Sequence, residues 1–138
     1  MSDRTFHLEI VTPRDALFAE DAESVEIPGS QGEFQILRGH TPFLTDLDIG
    51  PVTVSTPEGK RYFSISGGYC EVLPEKTTIL AHAAEMSNQI DVARAEEAQK
   101  RAENRLDEAP KNEDIDEARA NAALKRALNR LNVAKMIS

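Results

Sequence analysis

Tyr62-Phe63-Ser64-Ile65-Ser66-Gly67-Gly68-Tyr69-Cys70-Glu71-Val72-Leu73 sets the reading of the first part of the chain. Tyr62 to Ser66 and Tyr69 to Leu73 read as two short strands. The glycine pair between them reads as a tight turn or a bulge, because no helix follows that would turn it into a phosphate cradle. Outward from this stretch the same pattern repeats. Phe6, Leu8 and Ile10 alternate with His7, Glu9 and Val11 until Thr12-Pro13 ends the run, the period of a half-buried strand. Ser24 to Ile27, Gly32 to Leu37, Val52 to Ser55 and Thr77 to Ala81 are further segments. Pro28-Gly29, Gly39, Gly50-Pro51, Pro57-Glu58-Gly59 and Pro74-Glu75 supply the turns between them. Short strands punctuated this often point to an antiparallel sandwich or barrel. Most of the Phe, Ile, Val and Leu lies here, so residues 1–84 can hold a core and fold alone.

After Ala84 the pattern changes to helix. Ser87-Asn88 offers a cap, with Asp91 in the first turn. Ala95, Ala98, Ala102 and Leu106 then recur at helical spacing to about Leu106 or Asp107. Ala109-Pro110-Lys111-Asn112 breaks the run, since proline does not continue a helix. A second helix from Asn112 to Asp114 onward carries Ala120, Leu124, Leu128 and Leu131 on one stripe. Residues 85–138 are thus an antiparallel helical hairpin. The fold class is α+β: a mainly β N-terminal half, an antiparallel sandwich, followed by two helices. The hairpin's contact face is mostly alanine. Because burial contributes about 25 cal/mol per Å², an alanine face docks weakly and suits an element with a folded-down and an extended position. A merely marginal hairpin carries the same face.

Charge narrows the function. The chain of 138 residues has net charge −8, against a general nucleic-acid binder, which needs a basic footprint. Residues 1–84 hold 6 basic and 13 acidic side chains; residues 85–138 hold 10 and 11. From Ala118 onward Arg119, Lys125, Arg126, Arg130 and Lys135 meet no acidic residue. Such a helix seeks an acidic surface, or is simply solvated with cations favourably placed near a helix C-terminus. No apolar run is long enough to span a bilayer. Met1-Ser2-Asp3-Arg4 carries no leader pattern, so a cytosolic chain is expected.

Catalytic and metal-binding patterns are missing. There is no GxxxxGK[ST], GxGxxG, HExxH or GxSxG. His7, His40 and His82 are scattered and read as structural or surface imidazoles. Glu20-Asp21 and Glu96-Glu97 read as solvated faces. Cys70, the single cysteine, excludes an internal disulfide and reads as a buried thiol. No catalytic residue, no metal site and no required cofactor are expected.

Several segments in order carry a family resemblance: Val11-Thr12-Pro13; Pro28-Gly29-Ser30-Gln31-Gly32-Glu33-Phe34-Gln35-Ile36-Leu37-Arg38-Gly39-His40-Thr41-Pro42 with Phe43-Leu44-Thr45; Ile65-Ser66-Gly67-Gly68-Tyr69 with Glu71-Val72; and Thr78-Ile79-Leu80-Ala81. Together they resemble the epsilon subunit of bacterial-type F-type ATP synthases, the counterpart of the mitochondrial delta subunit, over essentially the whole chain. Gln35 departs from the glycine many members carry. The resemblance implies a ten-stranded sandwich with a helical hairpin, in a noncatalytic part of the rotor's central stalk. It implies partners as well: the gamma subunit, the membrane ring of c subunits, and the alpha/beta catalytic head. Torque from proton flow would pass through the sandwich. The hairpin would swing up and inhibit ATP hydrolysis through Arg119, Lys125, Arg126 and Arg130. The implied location is peripheral, on the cytoplasmic face of the bacterial inner membrane, without membrane insertion. The choice of H⁺ or Na⁺ as coupling ion is made in the membrane ring.

Ile90-Asp91-Val92-Ala93-Arg94-Ala95 matches the family's I/L-D-x-x-R-A pattern, which implies ATP as a regulatory ligand. Carried over, Asp91, Arg94 and Ala95 would bind nucleotide, Glu85 and Ile90 would line the pocket, and Arg101, Arg126 and Arg130 would add guanidinium forks for phosphate. Otherwise Asp91 is ordinary N-terminal helix charge, and pairs such as Glu97 with Arg101 are surface i,i+4 contacts. Two other readings compete. One is a stand-alone ATP sensor, told apart by whether the chain copurifies with alpha, beta and gamma subunits. The other is a sandwich enzyme, which needs turnover by the isolated chain.

Overall fold

Phe6, Leu8 and Ile10 are buried and their neighbours half-buried, so the first strand, β1 (Phe6–Val11), is the period-two strand its sequence predicts. The computed structural model describes residues 4–136; the leader reading of Met1-Ser2-Asp3 falls outside them. After β1 come β2 (Ala16–Ala22), β3 (Ser24–Gly29), β4 (Gly32–Leu37), β5 (Phe43–Thr56), β6 (Gly59–Val72), β7 (Lys76–Ala81) and β8 (Ala84–Met86). A 3₁₀ turn (Ser87–Gln89) leads into α1 (Val92–Glu108), a second (Ala109–Lys111) follows, and α2 (Glu117–Ala134) completes the hairpin.

The hydrogen-bonded order is β2-β1-β7-β6-β5-β3-β4, with β8 also on β6. All pairings are antiparallel except β1 with β7, which is parallel, because the chain returns to β1 only after the whole meander. Phe18 on β2 meets the ring of Phe63 on β6 edge-on, centroids 5.9 Å apart. These strands are separated by two others in the sheet, so the sheet wraps over itself into two layers around a core of Leu8, Ile10, Val25, Ile27, Val52, Val54, Phe63, Ile65 and Ile79.

Two expectations change here. The two segments expected at Tyr62–Ser66 and Tyr69–Leu73 are one strand, which ends at Val72, and Gly67-Gly68 lies inside it as neither a turn nor a register-shifting bulge. Along β5 the inward positions are Phe43, Thr45 and Leu47, then Gly50, Val52 and Val54. Along β6 they are Phe63 and Ile65, then Gly68, Cys70 and Val72. Both strands therefore exchange inner and outer faces at one level, near Asp48 and Gly67, while their pairing register is unbroken. Gly67 (φ +94°) and Gly68 (φ +140°) permit the exchange, and a Cβ on Gly68 would press into the Leu80 carbonyl. The 14-residue strands β5 and β6 thus each serve both layers. This is how eight strands, among the described residues, build the sandwich for which the resemblance implied ten.

β2 was not foreseen: Ala16-Leu17-Phe18-Ala19-Glu20-Asp21-Ala22 lacks clean alternation, and only Phe18 and Ala22 are buried. β8 carries the sheet to Met86, so the boundary expected after Ala84 falls inside a strand. Cys70 is fully buried, and burial, aided by the adjacent Glu71 charge, pushes its thiol up to about 12.

Asp91 is the N-cap of α1, its carboxylate accepting from the Arg94 N–H at 3.2 Å; Ser87-Asn88 is not the cap. Asp116 caps α2 in the same way, accepting from the Arg119 N–H at 3.1 Å, so the second helix starts later than Asn112 to Asp114. Each cap contributes about 1 kcal/mol. Ala95, Ala102, Ala120 and Ala127 are buried, and so is Val133 near the end of α2, but Leu128 is 43 % exposed. α2 is oriented by polar contacts of Lys125 and Asn129 with the sheet, and that rotation turns Leu128 outward.

Candidate functional site

The hairpin lies down on the sandwich at the level where β5 and β6 exchange faces. Asn129 is the central contact: its amide donates to the Gly50 carbonyl at 2.9 Å and to Ser64 Oγ at 3.0 Å. Lys125, one helical turn earlier, reaches Asp48 at 2.8 Å. Lys125 first, and the Ile49 N–H second, hold the Asp48 carboxyl below its ordinary range. Arg130 forks onto Glu85 of β8, Nε donating to Oε1 at 2.6 Å and Nη2 to Oε2 at 3.2 Å. These bonds are partly solvated and geometrically specific, a different kind of adhesion from the core.

Beside them the helices and the sheet enclose a cleft of about 740 Å³, within the usual size range of ligand sites. Alanines make the room: Ala83 and Ala84 from the sheet end, Ala98 and Ala102 from α1, Ala123 and Ala127 from α2. Longer side chains there would close it. Around the alanines stand Arg94, Arg101 and Arg105 from α1, Arg126 and Arg130 from α2, and Arg14 from the β1–β2 turn. Glu85 is the one carboxylate in the lining, and Arg130 already occupies it. Among the described residues none of the other five arginines forms an ion pair. Guanidinium stays charged at any ordinary pH. A chain of net charge −8 has therefore gathered six cations against one anion in a concave site, which focuses positive potential there. Such a site suits a polyanion able to accept several forked hydrogen bonds.

Of the eight nucleotide residues expected, Glu85, Arg94, Arg101, Arg126 and Arg130 line this cleft. Ile90, Asp91 and Ala95 are not in its lining: Asp91 is exposed and caps α1 with one carboxylate oxygen, while Ile90 and Ala95 are buried. The inhibitory set divides. Lys125 and Arg130 are paired with the sandwich, Arg126 faces the cleft, and Arg119 is exposed. Arg105 was missed, although Arg94, Ala98, Arg101 and Arg105 follow one helical stripe and Ala123, Arg126, Ala127 and Arg130 another. Arg14 had no such signal, because it enters from a turn. Among the described residues no group of His, Cys, Asp and Glu could hold a metal ion, and no helix is long and apolar enough to cross a membrane.

Two family models match: "ATP synthase, Delta/Epsilon chain, beta-sandwich domain" over residues 5–87, and "ATP synthase, Delta/Epsilon chain, long alpha-helix domain" over residues 88–135. Similar chains, each called an ATP synthase epsilon chain, include one from Desulforapulum autotrophicum, 48% identical over 109 residues, covering 78% of this chain and 80% of its own. One from Pelotomaculum thermopropionicum is 50% identical over 107 residues, covering 77% and 79%. Among solved structures, a chain of the Euglena gracilis mitochondrial ATP synthase (OSCP/F1/c-ring) shares the fold. Its TM-score is 0.80 at 21% identity, covering 94% of this chain and 81% of that one.

Proposed function

The chain belongs to the delta/epsilon chain family of ATP synthases, and from that premise we propose a noncatalytic rotor subunit whose sandwich couples and whose hairpin regulates. The sandwich grips the gamma subunit and rests on the c ring at the cytoplasmic face of the bacterial membrane. The hairpin is a movable arm that binds ATP when docked and restrains ATP hydrolysis when raised toward the alpha/beta head. Relatives named as ATP synthase epsilon chains support membership of the complex.

The arginine cleft supports the regulatory part. Its walls come from both helices and the sheet, so a polyphosphate held there has its full set of partners only in the docked arrangement. Differential affinity of that kind shifts the equilibrium toward docking by RT ln(1 + [L]/Kd). Raising the hairpin breaks the Lys125–Asp48, Asn129–Gly50 and Arg130–Glu85 contacts. It also frees Lys125, Arg126 and Arg130 to join Arg119 in facing acidic residues of the catalytic head. The same cations cannot serve both positions at once, and that exclusivity makes the element a switch.

The test compares ATP hydrolysis by the assembled complex carrying the full chain with one carrying a chain ended after Met86. The shortened chain should raise hydrolysis at low ATP and leave coupling intact. Equal rates across ATP concentrations would remove the regulatory role.

A further inference from the structure

Arg14 comes from the sandwich, not the hairpin, yet it stands in the same cleft as the helical arginines. The backbone of the turn that carries it is fixed, while its side chain is exposed. The Thr12 hydroxyl accepts from the Arg14 N–H at 3.2 Å and the Asp15 N–H at 3.3 Å, while the Thr12 N–H closes the turn on the Asp15 carbonyl at 2.9 Å. Pro13 fixes the backbone between them. The neighbouring Asp15 carboxylate accepts from the Thr12 hydroxyl at 3.2 Å, inside the turn. Arg14 has no ion-pair partner among the described residues, and Glu85, the one carboxylate lining the cleft, is taken by Arg130. A second groove of about 680 Å³ between the turn and β8 shares Arg14, Ala83, Ala84 and Glu85 with the cleft. The turn therefore stands where the two spaces join. Like charges brought together are unfavourable unless an anion joins them.

We propose that Arg14 is the sandwich's own ligand-binding residue in this site, contacting the polyphosphate of a metal-free nucleoside triphosphate that the hairpin arginines hold from the other side. The inference rests on the nucleotide reading above and deepens it. With Arg14 in the set, the bound anion ties the hairpin to the sheet and does more than tie one helix to the other. Arg14 then sets how strongly nucleotide stabilises docking, and it favours the triphosphate over less charged nucleotides.

The experiment titrates the full chain, wild type, R14Q and R14K, with ATP and with ADP in excess EDTA. Heat reports affinity, and the amide resonances of Gly50 and Ile65 beneath Asn129 report docking. Wild type should bind ATP more tightly than ADP. R14Q should bind ATP about tenfold more weakly, lose part of the ATP-over-ADP preference and show a smaller ATP-driven docking shift, and R14K should recover part of each. Unchanged β1 and β2 resonances in R14Q establish that the turn is intact. R14Q binding ATP as wild type does would overturn the role of Arg14 and leave the nucleotide site standing. Wild type failing to bind ATP at millimolar concentration would overturn both.

Discussion

The sandwich and the hairpin are held by opposite means. The sandwich core is a continuous set of large side chains, with Leu8, Ile10, Val52, Val54 and Phe63 fully buried. Each such side chain contributes about 1.5–3 kcal/mol. The hairpin buries mainly alanines, with Val133 of α2 the one large side chain fully buried in its helices, and three polar anchors, Asn129, Lys125 and Arg130, tie it to the sheet. Polar anchors of this kind contribute about 1 kcal/mol each or less. The sandwich is packed into one arrangement; the proposed function assigns to the more thinly held hairpin the part that ligand binding would tip. Alanine serves both purposes in the hairpin, because the small side chains that weaken docking also leave the arginine-lined cleft.

The contrast breaks most severely if a core change spares the fold. Phe63→Ala removes a fully buried ring that packs on Phe18, and should cost about 3–5 kcal/mol by chemical denaturation, a large share of the stability of a domain of this size. Asn129→Ala should be milder and local. It removes the donor to Gly50 and Ser64, weakening docking by about 1 kcal/mol. The sandwich's own unfolding transition should stay unchanged, with hydrogen exchange in α2 faster by the matching factor.

The smallest effect is electrostatic. Asp48 is depressed in the docked state by Lys125 and the Ile49 N–H. A carboxyl lowered in the folded state contributes stability fully present above its free value and lost as pH falls through the lowered one. Docking should therefore be insensitive to pH near neutrality and weaken below about pH 4. At an exposed pair the change amounts to a few tenths of a kcal/mol, and Asp48→Asn should abolish Lys125's share of it. A docking equilibrium with the same acid dependence in Asp48→Asn would remove this anchor.

The sequence was legible where one physical signal dominated. Period two marked β1, proline closed the first helix, and the alternation of apolar and turn residues marked the sandwich. It was opaque where tertiary context decided. Ala16–Ala22 is a strand because β1 pairs with it, not because its residues alternate. Gly67-Gly68 looked like a break because glycine commonly is one, yet here it lets a 14-residue strand change faces. At the site, the helical arginines lay on readable stripes, and five of the eight expected residues meet in the cleft. Asp91 read ambiguously because one carboxylate suits a cap and a ligand contact alike; one of its oxygens caps α1. Arg14 is invisible in sequence because a turn far from the hairpin delivers it.

Amide hydrogen exchange of the full chain, with and without metal-free ATP at matched ionic strength, tests the difference between the regions most directly. Protection in α1 and α2 should rise severalfold with ATP while the β5 and β6 core amides stay unchanged and far slower. Helices already as protected as the core without nucleotide, or helices whose protection does not move with ATP, would contradict a ligand-controlled arm on a fixed body.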